Sequence, residues 1–324
     1  MKPSNEEVCL TDERKSTGRE RDVPAYDATT FYDALAAHGL IVPVGVLGAF
    51  GRGSVFDDVL ERFDALILNM AKADGVESMT FPPVIDRAII ERTGYMESFP
   101  NLCGVVHSFL GPEREARALT QRIQAGEPWG DMLGMTDLVL NPAACYPLYP
   151  TCAGTLPDDG RHVTMLGWVY RQEPSLEPTR MRSFRVRELV RVGEPQTVLA
   201  WRDMWLERGV ALLKSLQLPA RSNVAADPFF GRGGKMLSAG QIEQRLKFEV
   251  LVPVISETEP TACCSFNYHQ DKFGGAFGIR TAAGQVAHSA CLGFGMERVT
   301  MALFRTHGFD PNEWPTAVRD RLWP

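Results

Sequence analysis

The sequence is short of basic charge. Its 34 lysines and arginines are outnumbered by 40 acidic residues, for a formal net charge of −6. That balance excludes a broad, nonspecific nucleic-acid-binding surface but leaves room for a local basic site. Long hydrophobic runs are also missing. Nothing approaches the roughly 18 consecutive apolar residues of a membrane-spanning helix, so no membrane association is expected. The opening residues, MKPSNEEVCLTDERKSTGRERD, lack the apolar stretch of a secretory signal peptide. Residues 1–25 are expected to form a flexible polar tail ahead of a single domain over 26–324. The seven cysteines are odd in number and lack the spacing of a secreted disulfide framework, so reduced thiols and a cytoplasmic location are expected. The six histidines show no HExxH or related spacing. Internal repeats are absent, and beyond the tail no linker divides the chain.

What is present is a chain of 324 residues, 44% hydrophobic, long enough to bury a sizeable core. Residues 54–73 place Phe56, Val59, Leu60, Phe63, Leu66, Ile67 and Met70 on one helical face, with Ser54 as N-cap and Asp57 three residues on. SMTFPPVID (78–86) reads as a short strand whose two prolines suit a sheet edge. A surface helix is expected over 112–127, with proline at its start. Strands are expected around 138–149, 162–173 and 183–192, and helices over 200–218 and from Met296 to a Gly308 cap. A polar helix running into a strand is read over 235–255, and a strand pair over 261–279. Strands joined by loops rather than by regular helices point to an α+β fold, a mostly antiparallel sheet flanked by helices.

One stretch sets a problem. GWVYRQEPSLEPTRMRSFRVRELVRVG (167–193) holds six arginines and three glutamates among strand-like residues. Exposed ion pairs on a surface hairpin would account for many of them and contribute little. The period of two, however, puts Arg171 and Glu173 on the face of Val169, and Glu188 on a face with Phe184, Val186, Val190 and Val192. Buried charges need partners. A polyphosphate, a metal or a bound amine would supply them, and the guanidinium fork suits phosphate well.

These residues resemble motif 2 of the class II aminoacyl-tRNA synthetases, an Arg-x-Glu, a variable loop and an Arg-x-x-Glu strand, here YRQE and RVRE. GFGMER followed by an apolar helix resembles motif 3, with Arg298 as its arginine. MTFPPVID after a long helix resembles the dimer-forming motif 1, and CCSFNYHQDKFG the Ser- and Asn-bearing strand of seryl-tRNA synthetases. The resemblance covers roughly residues 50–310. No tRNA-binding coiled coil precedes motif 1, so the chain is most similar to the truncated seryl-tRNA-synthetase-like amino acid:carrier-protein ligases.

That resemblance implies ATP-dependent activation of a small amino acid as an aminoacyl-adenylate. Transfer to the phosphopantetheine thiol of a carrier protein follows, by a homodimer. Arg171 would hold the α-phosphate and the amino-acid carboxylate, Arg298 the γ-phosphate, and Glu173 the adenine amino group. Further ATP contacts are assigned to Arg182, Phe184, Leu189 and Glu259, with Mg²⁺ bridging the phosphates. Leu189 stands where many synthetases have an adenine-stacking Phe, and Phe184 lies nearby on the other strand face. One Zn²⁺ per chain is implied on Cys145, Glu188 and Cys291, with its open fourth place for the α-amino group; Cys152 is the rival to Cys145. Asp227 would line the amino-acid pocket, and His269 is a further candidate there. In DPFFGRGGK (227–235), Arg232 and Lys235 would meet an acidic carrier. The alternatives are a synthetase acting on tRNA, which the net charge counts against, and a non-catalytic amino-acid- or nucleotide-binding paralogue. Glycine or alanine is the expected substrate.

Overall fold

The computed structural model describes residues 27–324; the expected tail over 1–25 lies outside the described residues. Its centre is a seven-stranded sheet. In chain order the strands are β1 (Glu77–Ser78), β2 (Arg161–Tyr170), β3 (Ser183–Gly193), β4 (Arg221–Ala225), β5 (Lys247–Val252), β6 (Thr261–Gln270) and β7 (His288–Gly295). Across the sheet they run β4-β5-β6-β7-β3-β2-β1. Every pairing is antiparallel except that of β1 with β2. A smaller three-stranded sheet, ordered Val84–Asp86, Gly134–Leu140, Val105–Ser108, stands apart. The architecture is α+β, as the loop-joined strands predict.

One face of the large sheet is covered by α1 (Ser54–Lys72), α2 (Pro195–Ser215) and α5 (Met296–His307). Phe56, Val59, Leu60, Phe63 and Ile67 of α1 are sealed, while Leu66 and Met70 sit at the margin of the core. Phe63 and Phe266 both meet Phe294 edge-on at this seam. At Gly209 of α2 a Cβ would come within 2.5 Å of the Phe266 ring, so only glycine lets this helix lie so close.

This face also accounts for two arginines of the charged stretch, Arg185 and Arg187. Arg187 makes a two-pronged pair with Asp64 of α1, at 2.7 and 2.6 Å. Arg185 gives its backbone N–H and its Nε to Glu297 of α5, at 2.8 and 3.1 Å, and its far nitrogen to Asp57. Arg52 reaches the same Glu297 at 3.2 Å. These arginines need no phosphate: protein carboxylates tie sheet to helices. Asp57 is thus part of the clamp rather than of a cap. The N-cap of α1 is Gly53, with Ser54 one residue inside the helix.

Other boundaries also differ from the sequence reading. The strand expected over 138–149 stops at Leu140, and Tyr146–Cys152 forms a 3-10 helix. Pro142, Pro147 and Pro150 cannot donate to a ladder, which forbids the continuation. In 78–86 the paired prolines split the strand, leaving Val84–Asp86 to the small sheet. The pair expected over 261–279 is one strand, β6, followed by α4 (Lys272–Phe277). The helix expected over 200–218 begins earlier, with Pro195 in its first turn. The Gly-rich segment after Phe230 starts a helix, α3 (Gly231–Glu243). Gly308 caps α5 with φ of 98°, as expected.

Candidate active site

The site lies on the opposite face, and period two builds it. Registry places Cys291 opposite Asn267 on one side, and Gly293 opposite both Ser265 and Glu188. Asn267, Ser265, Cys291 and Glu188 therefore share a face with Lys247 and Glu249 of β5. Above them lies the turn Asn141–Cys145. It comes close because Gly167 has no side chain; a Cβ there would be 2.7 Å from that of Ala144. The approach lets Glu188 accept the N–H groups of Ala144 and Cys145, at 2.9 and 3.0 Å.

Cys145, Glu188 and Cys291 converge here, all buried, with their ligand atoms within 4.8 Å of one another. Burial, reinforced by the Cys291 charge, pushes the Glu188 carboxyl up to about 8. A shared hydrogen bond with Cys291 and burial hold Cys145 well above a thiol's usual range. Cys291, taking that bond and one from His269, is held well below it. Two sulfurs and a carboxylate, buried with their ligand atoms close together, suit a Zn²⁺ ion. Three ligands leave a fourth place open, the pattern of a working rather than a structural site. Cys152 is buried elsewhere, 3.6 Å from Arg161, and it is Cys145 that the fold brings to Glu188 and Cys291.

The arginines of the resemblance gather around Phe184. Arg171 leaves β2 one residue past its end, and its guanidinium carbon stands 5.8 Å from the Phe184 ring. Arg298, at the start of α5, stands at 5.8 Å from the same ring. Its Nε and Nη1 donate to the carbonyls of Thr179 and Ala262, both at 2.9 Å. Burial first, then Arg171, depresses Arg298, while Glu173 and Glu249 act to raise it. Arg182 packs against Gly48, where φ is 73° and a Cβ would press on it at 3.4 Å. Its Nε is buried without a hydrogen-bond partner, a donor turned to no protein acceptor.

Leu189 must be reassigned. It is fully buried and shares the face of Arg185 and Arg187, packed towards the helices. Phe184, on the face of Glu188, is the aromatic that meets the arginines. Glu259 is exposed in the turn before β6. The carboxylates close enough to act on Arg298 are Glu173 and Glu249, and Glu249 was not foreseen. Asp227 joins the site through Lys247, at 2.7 Å, and Gln241, at 2.9 Å. Burial would raise its carboxyl, but Lys247, Gln241 and Arg171 outweigh that and hold it below its usual value. Lys247 also pairs with Glu249 at 3.0 Å. This ion triad had one visible signal, the polar alternation of KFE in an otherwise apolar strand. Lys235 is exposed on α3, while the Arg232 side chain lies outside the described residues.

No family model matches the chain. Among curated proteins it is 45% identical over 288 residues to amino acid–acyl-carrier-protein ligase 1 of Bradyrhizobium diazoefficiens, covering 88% of each chain. The chain belongs to the amino acid–acyl-carrier-protein ligases. Ligase 2 of the same organism is 46% identical, over 88% of this chain and 86% of its own. Type-2 serine–tRNA ligase of Methanopyrus kandleri is 26% identical, over 80% of this chain and 53% of its own length. Among solved structures, M. kandleri SerRS in complex with A. aeolicus tRNASec superposes with a TM-score of 0.78 at 22% identity, over 94% of this chain and 62% of that one. The fold of this ligase is therefore that of a class II synthetase. Among the described residues, no helix is long and apolar enough to cross a membrane.

Proposed function

We propose that this ligase activates glycine or alanine with ATP and passes it to the phosphopantetheine thiol of an acidic carrier protein. The observation that carries the reading is the joint presence of two half-sites on one sheet face. One is the Arg171–Phe184–Arg298 cluster with the orphan donor of Arg182; the other is the buried trio Cys145, Glu188 and Cys291.

Activation needs positioning and charge neutralisation more than a protein base. Arg171 lies between the half-sites, close enough to Asp227 and Glu188 to act on both. It brings the amino-acid carboxylate to the α-phosphate, while Arg298 and Arg182 meet the outer phosphates. Phe184 offers its ring to adenine. Glu249 and Glu173, the carboxylates near Arg298, would hold Mg²⁺, which supplies charge neutralisation for the phosphates. Cys145, Glu188 and Cys291 would hold Zn²⁺, which supplies a Lewis-acid place for the substrate's α-amino group. Phe184→Leu keeps bulk but loses the ring face, worth about 0.5–1.5 kcal/mol in aromatic contacts. The KM for ATP is expected to rise about 2–12-fold, with the amino-acid KM little changed. Equal kinetics in both enzymes would remove Phe184 from the nucleotide site.

Substrate size follows from the wall beside the trio. Tyr149 stacks on Phe273 with centroids 4.0 Å apart, Tyr146 meets the same ring edge-on at 5.8 Å, and Tyr95 meets Tyr146 at 5.9 Å. Such a wall leaves little width. The Tyr149 hydroxyl is buried without a hydrogen-bond partner, and through it serine competes. Packing alone separates neighbours differing by one methylene by about 10–200-fold. Pyrophosphate exchange measured with each amino acid in turn is expected to be fastest with glycine or alanine, with serine slower. Exchange fastest with serine or with a large side chain overturns the assignment.

The carrier is expected to dock on α3. Phe230, Met236, Leu237 and Ile242 are exposed there, Met236 at 80%, alongside Lys235. An apolar strip edged with basic charge suits an acidic partner. The homodimer is proposed through the motif 1 segment, whose small sheet exposes Met135 and Leu138.

A further inference from the structure

The trio is not held by its own residues alone. Glu188 is oriented by two backbone N–H groups. Cys291 has a different arrangement. The Asn267 amide nitrogen lies 3.5 Å from its sulfur, and His269 Nε2 lies at 3.5 Å as well. On the other side of the imidazole, His269 Nδ1 is 3.0 Å from the hydroxyl of Ser289, which is fully buried. The ring is packed edge-on against Phe273 at 4.8 Å and Tyr149 at 6.3 Å, so it has one orientation.

Hydrogen bookkeeping fixes the rest. A sulfur that ligates a metal has lost its proton and can only accept. Nε2 must then carry the ring hydrogen, and Nδ1 must accept from Ser289. Alternation along β6 and β7 makes this chain possible. Asn267 and His269 are two residues apart on one strand, and Ser289 and Cys291 are two apart on its neighbour.

We propose that His269, keyed by the Ser289 hydroxyl and assisted by Asn267, is a positioning residue for the metal centre. It directs an N–H bond at the Cys291 thiolate, aims the sulfur at Cys145 and Glu188, and draws off part of its charge. A thiolate so bonded donates less to the metal, which stays electrophilic enough to hold a neutral amine. The inference rests on the zinc reading above.

Cobalt(II) substitution tests it, because thiolate-to-metal charge-transfer absorption reports directly on electron density at sulfur. Wild-type protein loaded with Co²⁺ is expected to show that band. In His269→Phe, which keeps the ring contacts and removes the donor, the band moves to longer wavelength. Competition against a chelator shows Zn²⁺ held about 10–100-fold more weakly. His269→Gln, whose amide N–H can stand in for Nε2–H, returns both readouts towards wild type. Ser289→Ala deletes one buried oxygen and moves the band in the same direction, a readout that survives if His269→Phe folds poorly. An unshifted band and unchanged affinity in His269→Phe and Ser289→Ala overturn this inference alone, as does His269→Gln behaving like His269→Phe. A wild-type protein with no thiolate band overturns the zinc reading and this inference with it.

Discussion

Cys145→Ala is expected to purify without zinc and to lose amino-acid-dependent pyrophosphate exchange by at least about a thousandfold, roughly 4 kcal/mol. The loss is large because the substitution takes one of three converging donors. Cys291 and Glu188 then remain as an incomplete set, and the amine loses the group that fixes it. The fold survives: Cys145 is a small buried side chain in a turn that Glu188 still clamps through the backbone N–H groups of Ala144 and residue 145. Cys152→Ala is the control, since its sulfur lies beside Arg161 and away from the trio. Elemental analysis and exchange on the two variants separate the outcomes. Zinc retained in Cys145→Ala, or lost in Cys152→Ala, contradicts the assignment.

Arg298→Ala is expected to slow exchange at least tenfold. One charge-assisted hydrogen bond to phosphate contributes about 1.5–3 kcal/mol, or roughly 12–160-fold. Two of the five N–H donors are spent on Thr179 and Ala262, so the guanidinium is held still before ATP arrives. The same two bonds tie the loop between β2 and β3 to β6. Arg298→Lys therefore does not rescue, because an ammonium cannot span both carbonyls and still reach a phosphate. Exchange at the wild-type rate in Arg298→Ala would show that Arg298 has no part in binding ATP.

Much of this site could be read from residue order alone. The alternation over 183–192 sets Glu188 with Phe184 and against Leu189, and the β-strand keeps that parity. Position within the motif points to Leu189 at ATP, but the period of two turns it to the face of Arg185 and Arg187, and it is fully buried there. The resemblance points to Cys145 over Cys152, and the fold brings Cys145 to Glu188 and Cys291. The 3-10 helix at Tyr146–Cys152 was hidden because its aromatic and apolar residues look like a strand, and only the prolines deny one. The partners of Arg185 and Arg187 were illegible for another reason. Asp57, Asp64 and Glu297 lie more than a hundred residues away, and only the packing of α1 and α5 on the sheet brings them in. Of the Lys247–Glu249–Asp227 triad only the first two show in the strand's alternation; Asp227 is hidden because it comes from the separate segment before α3. Cysteines and glutamates at motif positions carry their chemistry with them; ion pairs across elements do not.

The central claim is that an activated amino acid leaves this protein on a carrier thiol. The most direct measurement is intact-mass spectrometry of a phosphopantetheinylated acidic carrier protein after incubation with the enzyme, ATP, Mg²⁺ and glycine or alanine. A parallel reaction holds total tRNA in place of the carrier. The account predicts a carrier heavier by one aminoacyl group, lost on treatment with hydroxylamine as a thioester is, and tRNA left uncharged. Aminoacyl-tRNA formed while the carrier mass stays unchanged would contradict it.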